Sequence, residues 1–207
     1  MNTLTSSVLR NIHSHLIYNR RIRQLHHHVT ELISPTTHSV LDVGCGDGLL
    51  TSLLSHSLPH MYFQGIDVLE RPKPHINIKL FDGYTMPYRD KSFDTVLFVD
   101  VLHHTTHPDR LLREAARVAR KHIIIKDHIS EGSIDTRVLS FMDWVGNACH
   151  RVALPYNYKS MLQWQQLATQ QNLHPITIRN DLALYPMPFN YLFDQHLHFL
   201  GKFRVGA

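Results

Sequence analysis

Three glycines at alternate positions, Gly44-Cys45-Gly46-Asp47-Gly48, directly follow a short apolar run, Val40-Leu41-Asp42-Val43. Glycines spaced this way let a chain turn tightly between a strand and a helix, and let its backbone approach a ligand closely. Carboxylates gather around the same segment. Asp42 precedes the loop, Asp47 lies within it, and Asp67 and Asp82 close two later apolar runs. A dinucleotide would lay an anionic pyrophosphate on the helix N-terminus, where Asp47 stands, and would call for G-x-G-x-x-G rather than G-x-G-x-G. The acids suit a ligand that carries an ammonium and a sulfonium and no phosphate.

A second group of residues could move protons. His103 and His104 follow a fourth apolar run that ends at Val99-Asp100, and imidazole titrates near neutrality. Read as chemistry, the pair supplies a general base, with Asp100 touching the ligand or orienting a histidine. Read as structure, it packs and caps the end of a strand. The 18 histidines invite a metal. Yet His26-His27-His28 point about 100° apart on a helix, and neither His56/His60 nor His104/His107 has a third ligand at recognisable spacing. The sequence therefore predicts no metal site. Cys45, with no histidine near it in sequence, reads as a small loop residue rather than a nucleophile.

Further along, Phe141, Met142, Trp144, Tyr156, Tyr158, Met161 and Trp164 make a stock of aromatic and methionine side chains. They read as a cover for an apolar or aromatic small molecule, with Tyr156 and Tyr158 facing it, or as ordinary helix packing.

These residues need elements to hold them. Apolar positions from Ser6 to Ile33 recur at helical spacing, and Ser34-Pro35 ends that helix. Strands are expected at Ser39–Val43, Met61–Ile66, Ile76–Phe81, Thr95–Val99 and His122–Lys126, with helices at Asp47–Ser57 and Pro108–Ala119 between them. Alternation of this kind builds a parallel sheet covered on both faces. Helices at Ile134–Val152 and Ser160–Gln171 and strands near Ile176–Ile178 and His196–Phe203 complete the pattern, the last two as an antiparallel edge hairpin. No repeat or linker divides the 207 residues. One domain is expected, with a helix over 1–38, a ligand-binding core over 39–127, a helical cover over 128–173 and closing strands over 174–207.

Composition bounds the partners. With 43% hydrophobic and 18% charged residues the chain falls among globular proteins rather than disordered ones. Two cysteines do not make a disulfide framework, so the expected setting is cytoplasmic. The longest aliphatic run, Ile123-Ile124-Ile125, is far too short for a membrane span, which leaves contact with a membrane surface open. The formal charge of +4 comes without a basic block. Arg10, Arg20, Arg21 and Arg23 could touch RNA or lipid, and Arg113, Arg117 and Arg120 read as one solvated helix face.

Leu41-Asp42-Val43-Gly44-Cys45-Gly46-Asp47-Gly48 closely resembles the first motif of class I S-adenosylmethionine-dependent methyltransferases. Gly65-Ile66-Asp67 resembles their second-strand motif. Phe81-Asp82-Gly83, Met86-Pro87-Tyr88 and Ser92-Phe93-Asp94-Thr95-Val96 resemble, in order, a stretch of the type 11 branch, and Val101–His104 and Leu111–Val118 continue it. The resemblance covers roughly Val40 to Lys126. It implies an α/β fold: a Rossmann-like three-layer sandwich, with a mostly parallel seven-stranded sheet, an antiparallel edge hairpin, an N-terminal helix and a helical substrate cover. It implies S-adenosylmethionine as cofactor, with Asp42, Gly44, Cys45 and Gly46 around the methionine moiety. Asp67 with Val68 would take the ribose, Asp82 with Gly83 the adenine, and Asp100 a place beside the donor. Two departures stand out. Ala119-Arg120-Lys121-His122 replaces the usual Pro-Gly-Gly turn, and Glu70 is a rival ribose ligand.

The activity implied is methyl transfer to a small-molecule acceptor, apolar, lipid-like or aromatic, at an oxygen, nitrogen or carbon. His103 and His104 are the candidate bases, and Tyr156 and Tyr158 the candidate acceptor contacts. A tRNA or rRNA methyltransferase is the enzymatic alternative, and a non-catalytic module that binds S-adenosylmethionine and regulates a partner is the other. No Asn-Pro-Pro-Tyr-type motif follows strand four, which counts against amino methylation of nucleic-acid bases. Oligomeric state is left open.

Overall fold

The computed structural model describes residues 17–147, 154–194 and 196–206. Seven strands form one sheet: β1 (Ser39–Val43), β2 (Tyr62–Asp67), β3 (Ile78–Leu80), β4 (Phe93–Val99), β5 (Ala119–His128), β6 (Leu173–Arg179) and β7 (His198–Val205). Their spatial order is β3-β2-β1-β4-β5-β7-β6. The first five run parallel, and β7 is antiparallel to both β5 and β6. The last strand in sequence thus fills the gap between β5 and β6, and β6 is the edge. This is the expected mostly parallel sheet with an antiparallel pair at one side.

The sheet is covered on both faces because successive strand residues point opposite ways. Leu41, Val43, Val96, Phe98, Ile123 and Ile125 pack to one side, against α3 (Pro108–Val118) and α5 (Met161–Gln170). Val40, Leu97 and Ile124 pack to the other, against α1 (Asn19–Leu32) and α2 (Leu49–Ser57). Strands apolar on both faces therefore yield the three-layer sandwich. α3 carries Pro108 at its start, where a missing N–H removes no hydrogen bond. α5 is opened by a capping box between Ser160 and Gln163.

Some boundaries differ from expectation. β5 extends at both ends, to Ala119 and to His128, and beyond the expected Lys126 the residues Asp127 and His128 are buried strand rather than loop. β6 runs through Pro175 at a register shift, as proline permits on an edge strand. The cover helix α4 spans Ser133–Asn147, and α6 is one short turn, Asn190–Phe193. The parts of the expected helices at 6–16 and 148–152 lie outside the described residues. No helix among the described residues is long and apolar enough to cross a membrane.

Candidate active site

The carboxyl ends of β1, β2, β4 and β5 converge on one edge of the sheet, where ligands bind in open α/β folds. At the end of β1, Gly44 has φ 72°, and a Cβ there would sit 2.6 Å from Val101 Cγ2. Glycine at this position lets the chain leave the strand beneath the start of the next motif. Gly46 has φ 62° with no atom within 4 Å of where a Cβ would point, so its open side faces free space. Its N–H donates to Asp67 Oδ2 at 2.8 Å, and the Leu69 N–H donates to Asp67 Oδ1 at 2.8 Å. Asp67 is buried at the end of β2, whereas Glu70 is exposed. Asp67, not Glu70, is therefore the carboxylate held against the loop.

Asp42 lies beneath the loop, 3% exposed, and accepts a hydrogen bond from Thr51 Oγ1 at 2.5 Å. Burial raises its carboxyl to about 6, against the pull of Thr51 and with help from Asp67. Burial and the charges of Asp42 and Asp67 push the Cys45 thiol well above its ordinary value, so it stays a thiol and is a poor nucleophile. At the end of β3, Asp82 Oδ1 accepts the N–H groups of Tyr84 and Thr85, which hold its carboxyl low. Gly83 places a would-be Cβ 3.1 Å from Val68 Cγ1. Val68 itself is 54% exposed, an apolar surface next to Asp82 and Gly83.

Behind this loop stands a cluster that sequence spacing does not reveal. Asp100, at φ 55°, pairs with Arg21 of α1 and with Lys126 of β5. Burial works to raise its carboxyl, but the two cations outweigh it and hold it well below the carboxylate range. Its carboxylate is committed to these cations. His103, in the 3₁₀ turn Leu102–His104, is buried with Nδ1 2.6 Å from Asp127 Oδ1 and Nε2 3.3 Å from Asp143 Oδ2. Burial opposes its charge, yet Asp127 and Asp143 raise it to about 10. His104 goes the other way, lowered to about 4 by burial and by His103. The two neighbours of the sequence therefore have opposite electrostatics. Both ring nitrogens of His103 face carboxylates, while His104 is neutral and its Nδ1 has no hydrogen-bond partner among the described residues.

Tyr158 donates to Asp143 Oδ2 at 2.5 Å and stacks on His103 with centroids 5.7 Å apart. Tyr156 is exposed beside it, 6.2 Å between ring centroids. Tyr158 thus stands next to His103, and Tyr156 adjoins the cluster through its contact with Tyr158. The sequence reading missed the cluster roles of Lys126, Asp127, His128, Asp143 and His198. The signal was a Lys-Asp-His run directly after Ile123-Ile124-Ile125, which is costly inside a protein unless partnered. Among the arginines, Arg117 is a half-buried clamp rather than part of a solvated face. It donates to the carbonyls of Met86 and Tyr88 and pairs with Asp90 and Glu114. His56, His60 and His107 are exposed and form no cluster among the described residues.

Residues 41–125 match the family described as a methyltransferase domain. A phthiotriol/phenolphthiotriol dimycocerosates methyltransferase from Mycobacterium ulcerans is 29% identical over 111 residues, which are 49% of this chain and 41% of that protein. The chain thus spans about two fifths of the length of the curated relatives it matches. A Haloferax volcanii putative methyltransferase, solved in complex with the Trm112 activator, superposes with TM-score 0.67 at 14% identity, covering 92% of each chain. A geranyl diphosphate methyltransferase in complex with S-adenosylmethionine superposes with TM-score 0.65 at 11% identity, covering 88% of this chain and 84% of that one. With the open glycine loop, the strand-end acids and the matched segment in one place, residues 41–125, less than half of the chain, are similar to the methyltransferase-domain family.

Proposed function

We propose that the chain transfers the methyl group of S-adenosylmethionine to an apolar small-molecule acceptor, lipid-like or aromatic. The observation that carries this reading is a strip of exposed apolar side chains on α4, Ile134, Phe141, Trp144 and Val145, on the element that also brings Asp143 to the histidine cluster. Large exposed apolar patches mark ligand or partner surfaces. Phe141 and Trp144 also face each other, with ring centroids 6.4 Å apart. The relative from Mycobacterium ulcerans, a methyltransferase of phthiotriol-type compounds by its name, is in keeping with an apolar acceptor.

In this reading Asp42, Gly44, Cys45 and Gly46 surround the methionine end of the donor, Asp67 and Val68 the ribose, and Asp82 and Gly83 the adenine. Gly46 has room for a ligand and the buried acids supply charge opposite a cationic donor. The cofactor, when bound, supplies an activated methyl group. The protein's part is to position the acceptor, exclude water and accept any proton it releases. His104 is the proposed acceptor of that proton. His103 keeps a positioning role between Asp127 and Asp143, and Asp100 acts by fixing Arg21 and Lys126 rather than by touching the donor. Tyr156 and Tyr158 line the acceptor.

An RNA acceptor finds less support, because Arg20 and Arg21, two of the arginines that would serve it, are engaged. Arg21 pairs with Asp100, Arg20 donates to the Ala183 carbonyl, and Arg117 is locked in its clamp. The deciding experiment incubates the protein with isotope-labelled donor and a cell extract split into solvent-soluble and RNA fractions. Label in a solvent-soluble small molecule is expected. Label confined to RNA, or tight donor binding with no label anywhere, overturns the proposal.

A further inference from the structure

We propose that His103, His128 and Asp143 form a binding site for one divalent transition-metal ion of zinc type, built into the buried cluster at the ends of β4 and β5. The inference goes beyond the methyl-transfer reading and does not depend on it.

The hydrogen bonds fix where the lone pairs point. His198 Nε2 lies 2.7 Å from the Phe193 carbonyl, which can only accept, so Nε2 carries the proton and Nδ1 is an acceptor. His198 Nδ1 then receives Lys126 Nζ at 3.3 Å and His128 Nδ1 at 3.0 Å. His128 must therefore carry its proton on Nδ1, and its Nε2 lone pair faces Asp143 Oδ1 at 3.6 Å and Asp100 Oδ1 at 3.7 Å. A lone pair aimed at two carboxylates is repulsive unless a cation lies between them. His103 is set the same way. Its Nδ1 donates to Asp127 Oδ1 at 2.6 Å, and its Nε2, buried and without an aligned hydrogen bond, lies 3.3 Å from Asp143 Oδ2. Metal-bound histidines are held in this manner, with the far nitrogen donating to a carboxylate or another fixed acceptor.

The distances suit a small ion. A tetrahedral ion with ligand bonds of about 2.1 Å has ligand-to-ligand edges of about 3.4 Å. His103 Nε2 lies 3.3 Å from Asp143 Oδ2 and His128 Nε2 lies 3.6 Å from Asp143 Oδ1, each close to that edge though on different carboxylate oxygens. One ligand atom from each of the three residues lies within 4.8 Å of the others. Charge agrees as well. Asp100, Asp127 and Asp143 stand against Arg21 and Lys126, which leaves one negative charge when both histidines are neutral. Two imidazoles and one carboxylate are the donor set of zinc and of open-sided iron(II) centres, not of magnesium or calcium. Three ligands leave a fourth position for water or an acceptor hydroxyl.

The test reads metal directly. The full chain is stripped with a chelator, desalted and titrated with zinc and, separately, with cobalt(II). Stoichiometric metal retained on dialysis is expected, with the intense visible bands of four- or five-coordinate cobalt. Asp143→Asn should abolish those bands and weaken retention at least about tenfold. Folding is checked by thermal melting and by binding of S-adenosylhomocysteine. If Asp143→Asn fails that check, His128→Gln answers the same question. Absence of stoichiometric metal and of cobalt bands in the parent protein overturns the proposal. So do bands that persist in a folded Asp143→Asn or His128→Gln protein, since they would place the ion on other histidines such as the exposed His27.

Discussion

Replacing Asp42 by asparagine should make the protein more stable and a poorer binder of its donor at the same time. Asp42 is buried beneath the glycine loop and its carboxyl is raised to about 6 from an ordinary 3.8. Asp67, near it, and the Cys45 thiol, above it, add no positive charge, and Thr51 supplies only a hydroxyl. The sign follows from proton binding. Between about pH 4 and pH 6 the unfolded chain has lost this proton while the folded protein retains it, so stability from this group is present below pH 4 and is lost as pH rises through 6. At about 1.36 kcal/mol per pH unit, the full loss is about 3 kcal/mol. Asparagine is isosteric, can accept the same Thr51 hydroxyl and never ionises. At pH 7 the Asp42→Asn protein should gain up to about 3 kcal/mol, or about 6 to 12 °C in melting temperature for a chain of this size. The difference between parent and variant should shrink to nothing near pH 4. The same carboxylate, ionised at pH 7, is proposed to face the cationic end of the donor, where a charge-assisted bond contributes about 1.5–3 kcal/mol. Calorimetry should therefore find donor affinity roughly 10- to 100-fold weaker in the variant. Melting curves that stay parallel to those of the parent from pH 4 to 8 would refute the burial argument. Donor affinity within about twofold of the parent would refute the proposed contact.

Other substitutions probe separate parts of the site. Asp67→Ala removes the acceptor of the Gly46 and Leu69 N–H groups and the proposed ribose ligand. Donor binding should weaken roughly 10- to 100-fold, and an unchanged dissociation constant would return the role to Glu70. Gly46→Ala should cost about 1–2 kcal/mol of stability through its left-handed φ alone, because nothing lies near its Cβ, yet it should block the donor. Gly44→Ala should lower the melting temperature much further, because its Cβ meets Val101; equal melting temperatures for the two would contradict the geometry. His104→Ala should lower single-turnover methyl transfer about 10²-fold with donor affinity unchanged, and near-parent turnover would remove it as proton acceptor. Arg117→Ala should destabilise by about 2 to 3 kcal/mol, seen as a clear fall in melting temperature, and a shift under about 1 °C would make the clamp ornamental.

What the sequence revealed was local. The turn at Gly44 to Gly48 is written in consecutive residues, and each parallel strand announces itself by an apolar run. β1 was placed at its observed ends for that reason. The clustered charges were hidden because their partners come from elsewhere. Lys126 is a tolerable core residue only beside Asp100, His128 only beside His198 and Asp143. None of those pairs is close in sequence, so the polar end of β5 looked like a loop and the strand was read short. For the same reason His103 and His104 looked equivalent. Adjacent in the chain, they differ because Asp127 and Asp143 embrace only one of them. The metal-ligand search failed on spacing, since the three candidate ligands arrive from a turn, a strand end and a cover helix.

The position of β7 between β5 and β6 carries a cost during synthesis. β5 finds its outer neighbour only when His198 and the residues after it exist, seventy residues beyond the paired His128. At about 5–20 residues per second, a nascent chain waits roughly 4 to 14 s with that edge unpaired. The waiting edge contains Ile123-Ile124-Ile125, the kind of run that seeds intermolecular strand pairing. Arg120 and Lys121 before it and Lys126 after it act as gatekeepers, because their charges oppose stacking of one unfinished chain upon another. Lys126 thus guards the strand before β7 arrives and is buried by its arrival.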